Sequence, residues 1–257
     1  MLIRSEILRL KLLHTAKGRK SANTVLIEGL RLVEDCLLSQ WPIKSLFITE
    51  DNMSRPKYIK VVNLAKSVAI KRVLVSKNDM ERISNTKNPQ GIAMEIYIPL
   101  KNKNISLENK VLYLDKISDP GNLGTIMRTA AWFGVEQILL SKNCTDIWNS
   151  KVLRSAMGAH FKIICDVLNL DELLSENLDI SHKVYGSYID GGPLKDLKAF
   201  NDKWILILGN EAHGISEYLE KYIDKKIRIE GSGYQESLNV AVAGGIILKH
   251  LNREYLS

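Results

Sequence analysis

No stretch of this sequence approaches the roughly 20 apolar residues that a membrane-spanning helix needs. The N-terminal Met1-Leu-Ile-Arg-Ser-Glu6 is broken by charge where a signal peptide would carry its apolar core, so a cytoplasmic protein with no membrane partner is expected. Cysteine is scarce. Cys36, Cys144 and Cys165 are odd in number and show no Cys-x-x-Cys spacing, which excludes a disulfide framework. The histidines at 14, 160, 182, 213 and 250 lack paired ligand spacing, so a structural zinc site is excluded and no metal is expected.

What is present is ordinary globular material: 257 residues, 45% hydrophobic and 25% charged, enough for two modest domains. The net charge of +7 is unevenly spread. Residues 1–104 carry 19 Lys and Arg against 9 Asp and Glu, whereas residues 105–257 carry 17 against 20. All the excess positive charge therefore lies in the first part. Such asymmetry points to a polyanion-binding module joined to a near-neutral one, and nucleic acid is the polyanion it fits.

The first part alternates helical and extended patterns. Residues 5–17 form an amphipathic helix with a basic side, 24–28 a strand, and the segment from Leu30 a helix with Leu32, Val33, Cys36 and Leu37 on one face. Strands at 44–49, 72–76 and 91–98 alternate with helices at 56–66 and 77–83, giving a small α/β sandwich over residues 1–98. The breaker-rich, aperiodic stretch that follows marks a linker at 99–109, and residues 110–257 form the second domain.

That second domain also alternates. Its strands fall at 111–115, 136–141, 161–167, 183–189 and 203–208, with helices from Asn122, at 149–157 and from Asp171. Open α/β sheets bind ligands in the loops after their strands, and three such loops here carry polar residues. After the first strand comes Asn122-x-Gly124-x-x-x-Arg128, in which Asn122 is a candidate helix N-cap and Asn122, Thr125 and Arg128 share one helix face. After the most continuous apolar strand comes Gly209-Asn210-Glu211-Ala-His-Gly214. Last comes Ile229-Glu-Gly-Ser-Gly-Tyr-Gln-Glu-Ser-Leu-Asn-Val240, a glycine-rich loop entering an almost wholly apolar helix. In it Gly231 and Gly233 permit unusual backbone geometry, and Ser237 and Asn239 offer a hydroxyl and an amide beside open helix-start N–H groups. Gly244-Gly245, further on, would admit a second backbone.

Taken together and in this order, with Phe133-Gly134 after the first motif, the three loops resemble the signature of the SpoU-type, TrmH-like RNA 2′-O-methyltransferases of the SPOUT superfamily. Ile27-Glu-Gly-Leu-Arg-Leu-Val-Glu34 is similar to that family's N-terminal substrate-binding domain. The resemblance implies a catalytic domain with a deep trefoil knot, S-adenosyl-L-methionine held by the knot loops, and a homodimer formed through that domain. It implies Arg128 as the catalytic residue, with Asn122, Glu211, Ser237 and Asn239 supporting it. Backbone at Gly209, Ile229 and Leu238 matches the cofactor-holding positions, with Gly231 and Gly233 beside them. One position departs: Glu230 stands where the family usually has proline.

The implied reaction is methyl transfer to a ribose 2′-hydroxyl of structured RNA, with ribosomal RNA favoured over transfer RNA as the target. Such an in-line displacement needs alignment and exclusion of water and no metal. Arginine is a poor proton acceptor, so Arg128 is expected to stabilise charge on the 2′-oxygen or to grip a phosphate, with Glu211 holding Arg128 in place. The basic first part supplies Lys11, Lys17, Arg19, Lys20 and Arg31 as candidates for the RNA backbone. The competing reading is a non-catalytic RNA-binding protein that retains the fold. A nucleotide-dependent oxidoreductase is weaker, for want of a third glycine and a downstream ribose-binding acid.

Overall fold

The structure, a computed structural model, describes residues 2–99, 105–176, 181–197 and 203–252. It divides into two units. The first takes residues up to 100 together with 146–161, and the second takes the rest. The expected linker at 99–109 lies partly outside the described residues.

In the first unit the order is α1 (Arg4–Leu12), α2 (Ala16–Ala22), β1 (Thr24–Glu28), α3 (Leu30–Leu38), β2 (Ile43–Thr49), α4 (Glu50–Met53), α5 (Pro56–Ser67), β3 (Arg72–Val75), α6 (Lys77–Ile83) and β4 (Ile92–Tyr97). The single helix expected over 5–17 is in fact two. The first ends at Leu12 with Leu13 as its C-cap, and Thr15 caps the second, its hydroxyl accepting from Gly18 N at 3.0 Å. A Cβ on Gly18 would lie 2.0 Å from the Leu12 carbonyl oxygen, so glycine is required where the two helices meet.

The four strands lie in the order β1-β4-β2-β3, antiparallel except for the β2–β3 pair. Alternation along each strand sends side chains to opposite faces. Val25, Ile27, Leu46 and Ile48 pack with Val33 and Cys36 of α3 and Tyr58 and Val61 of α5. On the other face Leu26, Phe47 and Ala93 meet Ile7 and Leu10 of α1 and Met80 and Ile83 of α6. Residues 146–161, expected in the second domain, belong to the first unit. Trp148 and Leu153 join the α3–α5 core, and Trp148 lies 6.1 Å from Trp41 and 5.2 Å from His160 between ring centroids. Their hydrophobic pattern marks them for burial but carries no sign of which unit receives them.

Glu95 on β4 is fully buried. It accepts from Arg9 Nη1 and Nη2 and from Thr24 Oγ1 at 2.7 Å each, and from Lys44 Nζ at 3.0 Å. Burial alone would raise its pKa, but the bonds from Arg9, Thr24 and Lys44 outweigh burial and hold it below the ordinary 4.5. A depressed folded pKa means that stability is present above the unfolded value and is lost as pH falls through the folded one. Thermal melts at neutral pH and at about pH 3.5 should therefore show Glu95→Gln less stable than wild type at neutral pH and less sensitive to acid. Equal acid sensitivity in the two proteins would contradict this.

The second unit contains β5 (Lys110–Leu114), α7 (Pro120–Trp132), β6 (Gln137–Leu140), β7 (Ile164–Val167), α9 (Leu170–Glu176), β8 (Lys183–Pro193), β9 (Trp204–Leu208), β10 (Lys225–Arg228) and α10 (Val240–Leu251). The helix α8 (Ser150–Ala156) lies in the segment given to the first unit. All six strands are parallel, in the order β10-β8-β9-β5-β6-β7. Strands β5 and β9 at the centre are continuous apolar runs because both faces of a parallel sheet are covered. Helices α7 and α10 pack together. The chain after the 209–216 loop forms a 3-10 turn, Glu217–Tyr222. No described helix is long and apolar enough to cross a membrane. The loops at 115–119, 209–216 and 229–239 follow β5, β9 and β10 at one end of the sheet, which places the three motifs together.

Candidate active site

Helix α7 begins with Asp119 as its N-cap, which accepts from Asn122 N at 2.8 Å, and Pro120 occupies the first helical position. The expected cap, Asn122, instead sits inside the first turn with its side chain free to work. Its Nδ2 donates to Glu211 Oε1 at 2.5 Å. A carboxylate only accepts, so the amide must present nitrogen to Glu211 and oxygen to the other side. There Oδ1 accepts from Asn239 Nδ2 at 3.0 Å. Asn239 is the N-cap of α10, with Oδ1 accepting from Ala241 N at 3.0 Å and Val242 N at 3.4 Å. Two helix N-termini and one carboxylate are thus joined by the chain Glu211, Asn122, Asn239. The negative charge of Glu211 suits the positive end of α7.

Arg128 lies two turns along α7, exposed on the side that carries Thr125. Among the described residues its side chain has no hydrogen bond or ion pair. The expectation that Glu211 holds Arg128 is therefore corrected: Glu211 is taken by Asn122, and the guanidinium is left open to solvent. Ser237, two residues before Asn239, is also exposed.

The turn after β9 is tightly built. Asn210 and Gly214 exchange backbone hydrogen bonds, each 2.9 Å, and a Cβ on Gly209 would lie 2.3 Å from the Gly214 carbonyl carbon. The fold itself therefore demands glycine at 209. The later loop is open. Gly233 has φ +82°, which favours glycine, but a Cβ at Gly231 would meet nothing within 4 Å and its φ is ordinary. Gly231 is thus not needed for the conformation seen. Among the described residues no backbone hydrogen bond within the chain involves Gly231 through Leu238, and Leu238 is half exposed. Free backbone donors and acceptors beside an apolar side chain suit an adenosyl group, which needs edge hydrogen bonds and an apolar face and no counter-charge.

Glu230 forms an ion pair with Lys195 in the 3-10 turn Leu194–Asp196 that follows β8. The carboxylate raises the Lys195 pKa. The position that departs from the usual proline thus carries a cross-loop tie. Gly244 is also reassigned: its Cβ would come within 2.7 Å of Leu208 Cδ1, so a core side chain, not a second backbone, accounts for it. No group of His, Cys, Asp or Glu suited to a metal occurs among the described residues.

The profile of the SpoU rRNA Methylase family matches residues 109–249, and that of the MRM3-like substrate binding domain matches residues 4–94. The chain belongs to the SpoU rRNA methylase family. It is 35% identical over 242 residues to the Bacillus subtilis 23S rRNA (guanosine(2553)-2′-O)-methyltransferase RlmP, covering 94% of this chain and 93% of that protein. Among solved structures, a TrmH-family chain from Porphyromonas gingivalis is 30% identical with a TM-score of 0.86, covering 99% of each chain. An AdoMet-bound rRNA methyltransferase from Sinorhizobium meliloti is 26% identical with a TM-score of 0.87, covering 100% of this chain and 97% of that one. The SpoU chain described here is accordingly an S-adenosylmethionine-dependent RNA 2′-O-methyltransferase, and its second unit has the SPOUT fold with a trefoil knot.

Among the basic candidates for RNA, Lys11, Lys17, Lys20 and Arg31 are exposed. Arg19 is not: it is 4% exposed, with Nη1 donating to Leu13 O at 3.0 Å and Nη2 to Asp146 Oδ2 at 2.5 Å. Its charge is spent inside the first unit, tying down the start of the 146–161 segment, and it is withdrawn from the RNA-binding set. Sequence reading also missed Asp119, Asn210 and Lys195. Asp119 carried the Asp-Pro pair that opens many helices and Asn210 its place in the polar loop after β9, whereas Lys195 carried no signal.

Proposed function

We propose that Arg128 acts on the target ribose, that the target is a nucleotide of 23S ribosomal RNA, and that the protein works in the cytoplasm as a homodimer through its second unit. The observation that carries the reading is the Glu211–Asn122–Asn239 chain, which fixes the helix bearing Arg128 while leaving the guanidinium open. S-adenosylmethionine, when bound, supplies an electrophilic methyl group on a sulfonium. Gly209, Ile229, Gly231, Gly233 and Leu238 would hold it.

In this reading Arg128 offers hydrogen bonds to the 2′-oxygen as its charge grows, or to the neighbouring phosphate, and so eases loss of the hydroxyl proton. Ser237, with its hydroxyl open, orients the ribose. The 23S target is supported by the 35% identity to the Bacillus subtilis enzyme along nearly the whole chain. The homodimer is supported by apolar side chains left on the α7–α10 surface, with Trp132 83%, Val242 52% and Ile246 40% exposed. Mapping 2′-O-methyl groups in total RNA with and without the protein tests the target. Loss of one 23S mark is expected, and an unchanged 23S map would overturn the assignment.

Lys11, Lys17, Lys20 and Arg31 are assigned to phosphate contacts. Neutralising Lys17 and Lys20 together should weaken RNA binding and lower the slope of log affinity against log salt by about one to two. Changing Arg19 should instead lower stability through the lost Asp146 contact. An unaltered salt slope in the double variant would remove those lysines from the interface.

A further inference from the structure

Asp115, at the end of the central strand β5, has no role in the site described so far, yet it is a fully buried carboxylate. Its Oδ2 accepts from Ser216 N at 2.8 Å and from Ser216 Oγ at 2.7 Å. Its Oδ1 has no hydrogen-bond partner. Burying a carboxylate with so few donors is costly, and an apolar side chain would fill the same space more cheaply. What the carboxylate adds is the location of Ser216.

The next residue, Lys116, completes the pattern. It has the left-handed φ of +57°, and its carbonyl accepts from Asn210 Nδ2 at 2.9 Å. Asn210 Oδ1 in turn accepts from Ala212 N at 2.9 Å and His213 N at 3.2 Å. Two consecutive residues after β5 therefore grip both ends of the turn that carries Glu211, Asn210 at its start and Ser216 at its close. The same segment of chain runs on through Asp119 into α7 and Asn122. Donor and acceptor of the Asn122–Glu211 bond are thus referenced to one strand end.

We infer that Asp115 is a positioning residue for methyl transfer: it clamps the 209–216 turn so that Glu211 meets Asn122. This rests on the reading of Glu211 and Asn122 as part of the active site. The work is hydrogen-bond acceptance, so an amide oxygen in place of Oδ2 should serve, whereas a methyl group should not. A 1 Å error in the placement of a supporting group can cost up to a hundredfold in rate.

The test is a kinetic cycle on the full chain with S-adenosylmethionine and target RNA, using Asp115→Ala, Asp115→Asn, Ser216→Ala and Glu211→Ala, with Asp115→Ala and Ser216→Ala each also made in the Glu211→Ala background. Asp115→Ala should lower kcat about tenfold or more with little change in the KM for RNA. Asp115→Asn should restore most of the loss. In the Glu211→Ala background Asp115→Ala should cost little further, because residues acting as a unit are not additive. Should Asp115→Ala not fold, Ser216→Ala, which keeps the backbone bond, should show a smaller drop that likewise vanishes without Glu211. Additive losses, an unchanged kcat, or an asparagine as damaging as alanine would each overturn the inference. A wild-type chain that transfers no methyl group would instead overturn the active-site reading on which it stands.

Discussion

Arg128→Ala is expected to lower the single-turnover rate of methyl transfer on bound RNA by about a hundred- to a thousandfold, the range for removing one donor aimed at developing negative charge. Stability should be almost unchanged. Arg128 is exposed on α7 and its side chain makes no hydrogen bond or ion pair among the described residues, and such surface positions usually shift stability by no more than about 0.5 kcal/mol. Arg128→Lys separates charge from shape. It keeps the positive charge and loses the planar fork, so an intermediate rate is expected if Arg128 holds two oxygens at once. Rapid-quench measurement with RNA and S-adenosylmethionine in excess of their dissociation constants reads these rates directly. Full activity in Arg128→Ala would remove it from the chemistry.

Trp148→Ala has the largest expected effect on stability. Trp148 is 9% exposed and belongs to the same core as Val25, Ile27, Val33 and Cys36. Truncating a buried tryptophan costs about 3–5 kcal/mol. For a unit of this size the melting temperature of the first transition should fall by roughly 10 °C or more. Hydrogen exchange should rise in β1 and α3, the elements that share this core. A melt within about 2 °C of wild type would show that the 146–161 segment adds little to the first unit.

Much of this architecture was legible from residue patterns. Strands β5 and β9 announce themselves as Val-Leu-Tyr-Leu and Trp-Ile-Leu-Ile-Leu, runs that only a doubly covered strand tolerates. Strand β10 was missed because Lys225-Lys-Ile-Arg228 has one apolar residue, Ile227, the only one of the four that is buried. At a sheet edge, backbone pairing with β8 defines the strand and side chains contribute little. The break between α1 and α2 was missed because the apolar pattern over 5–17 carries no sign of it; Gly18, just past that stretch, is a contact point inside the second helix.

The site shows the same division. Asn122 and Glu211 could be singled out because each follows a predicted strand with glycine nearby, and Asn239 because it closes a glycine-rich loop at the start of an apolar helix. Their hydrogen-bond order could not, since it depends on how three loops 89 and 117 residues apart in sequence meet. Arg19 illustrates the converse error. A basic helix suggests a polyanion partner, but the arginine on its inner side is spent on Asp146, 127 residues away. Charge counts register the excess of positive residues without showing which of them face solvent.

Methyl transfer from S-adenosylmethionine to a ribose 2′-oxygen of ribosomal RNA can be measured directly. Purified protein should be incubated with 23S ribosomal RNA lacking its own marks and with cofactor labelled in the methyl group, and the product digested with alkali. A 2′-O-methyl group blocks alkaline cleavage at its own phosphodiester, so label is expected in a single alkali-resistant dinucleotide, accumulating about a hundredfold or more slower with Arg128→Ala. Label recovered in alkali-sensitive mononucleotides, as base methylation would give, or no RNA-dependent transfer at all, would contradict it.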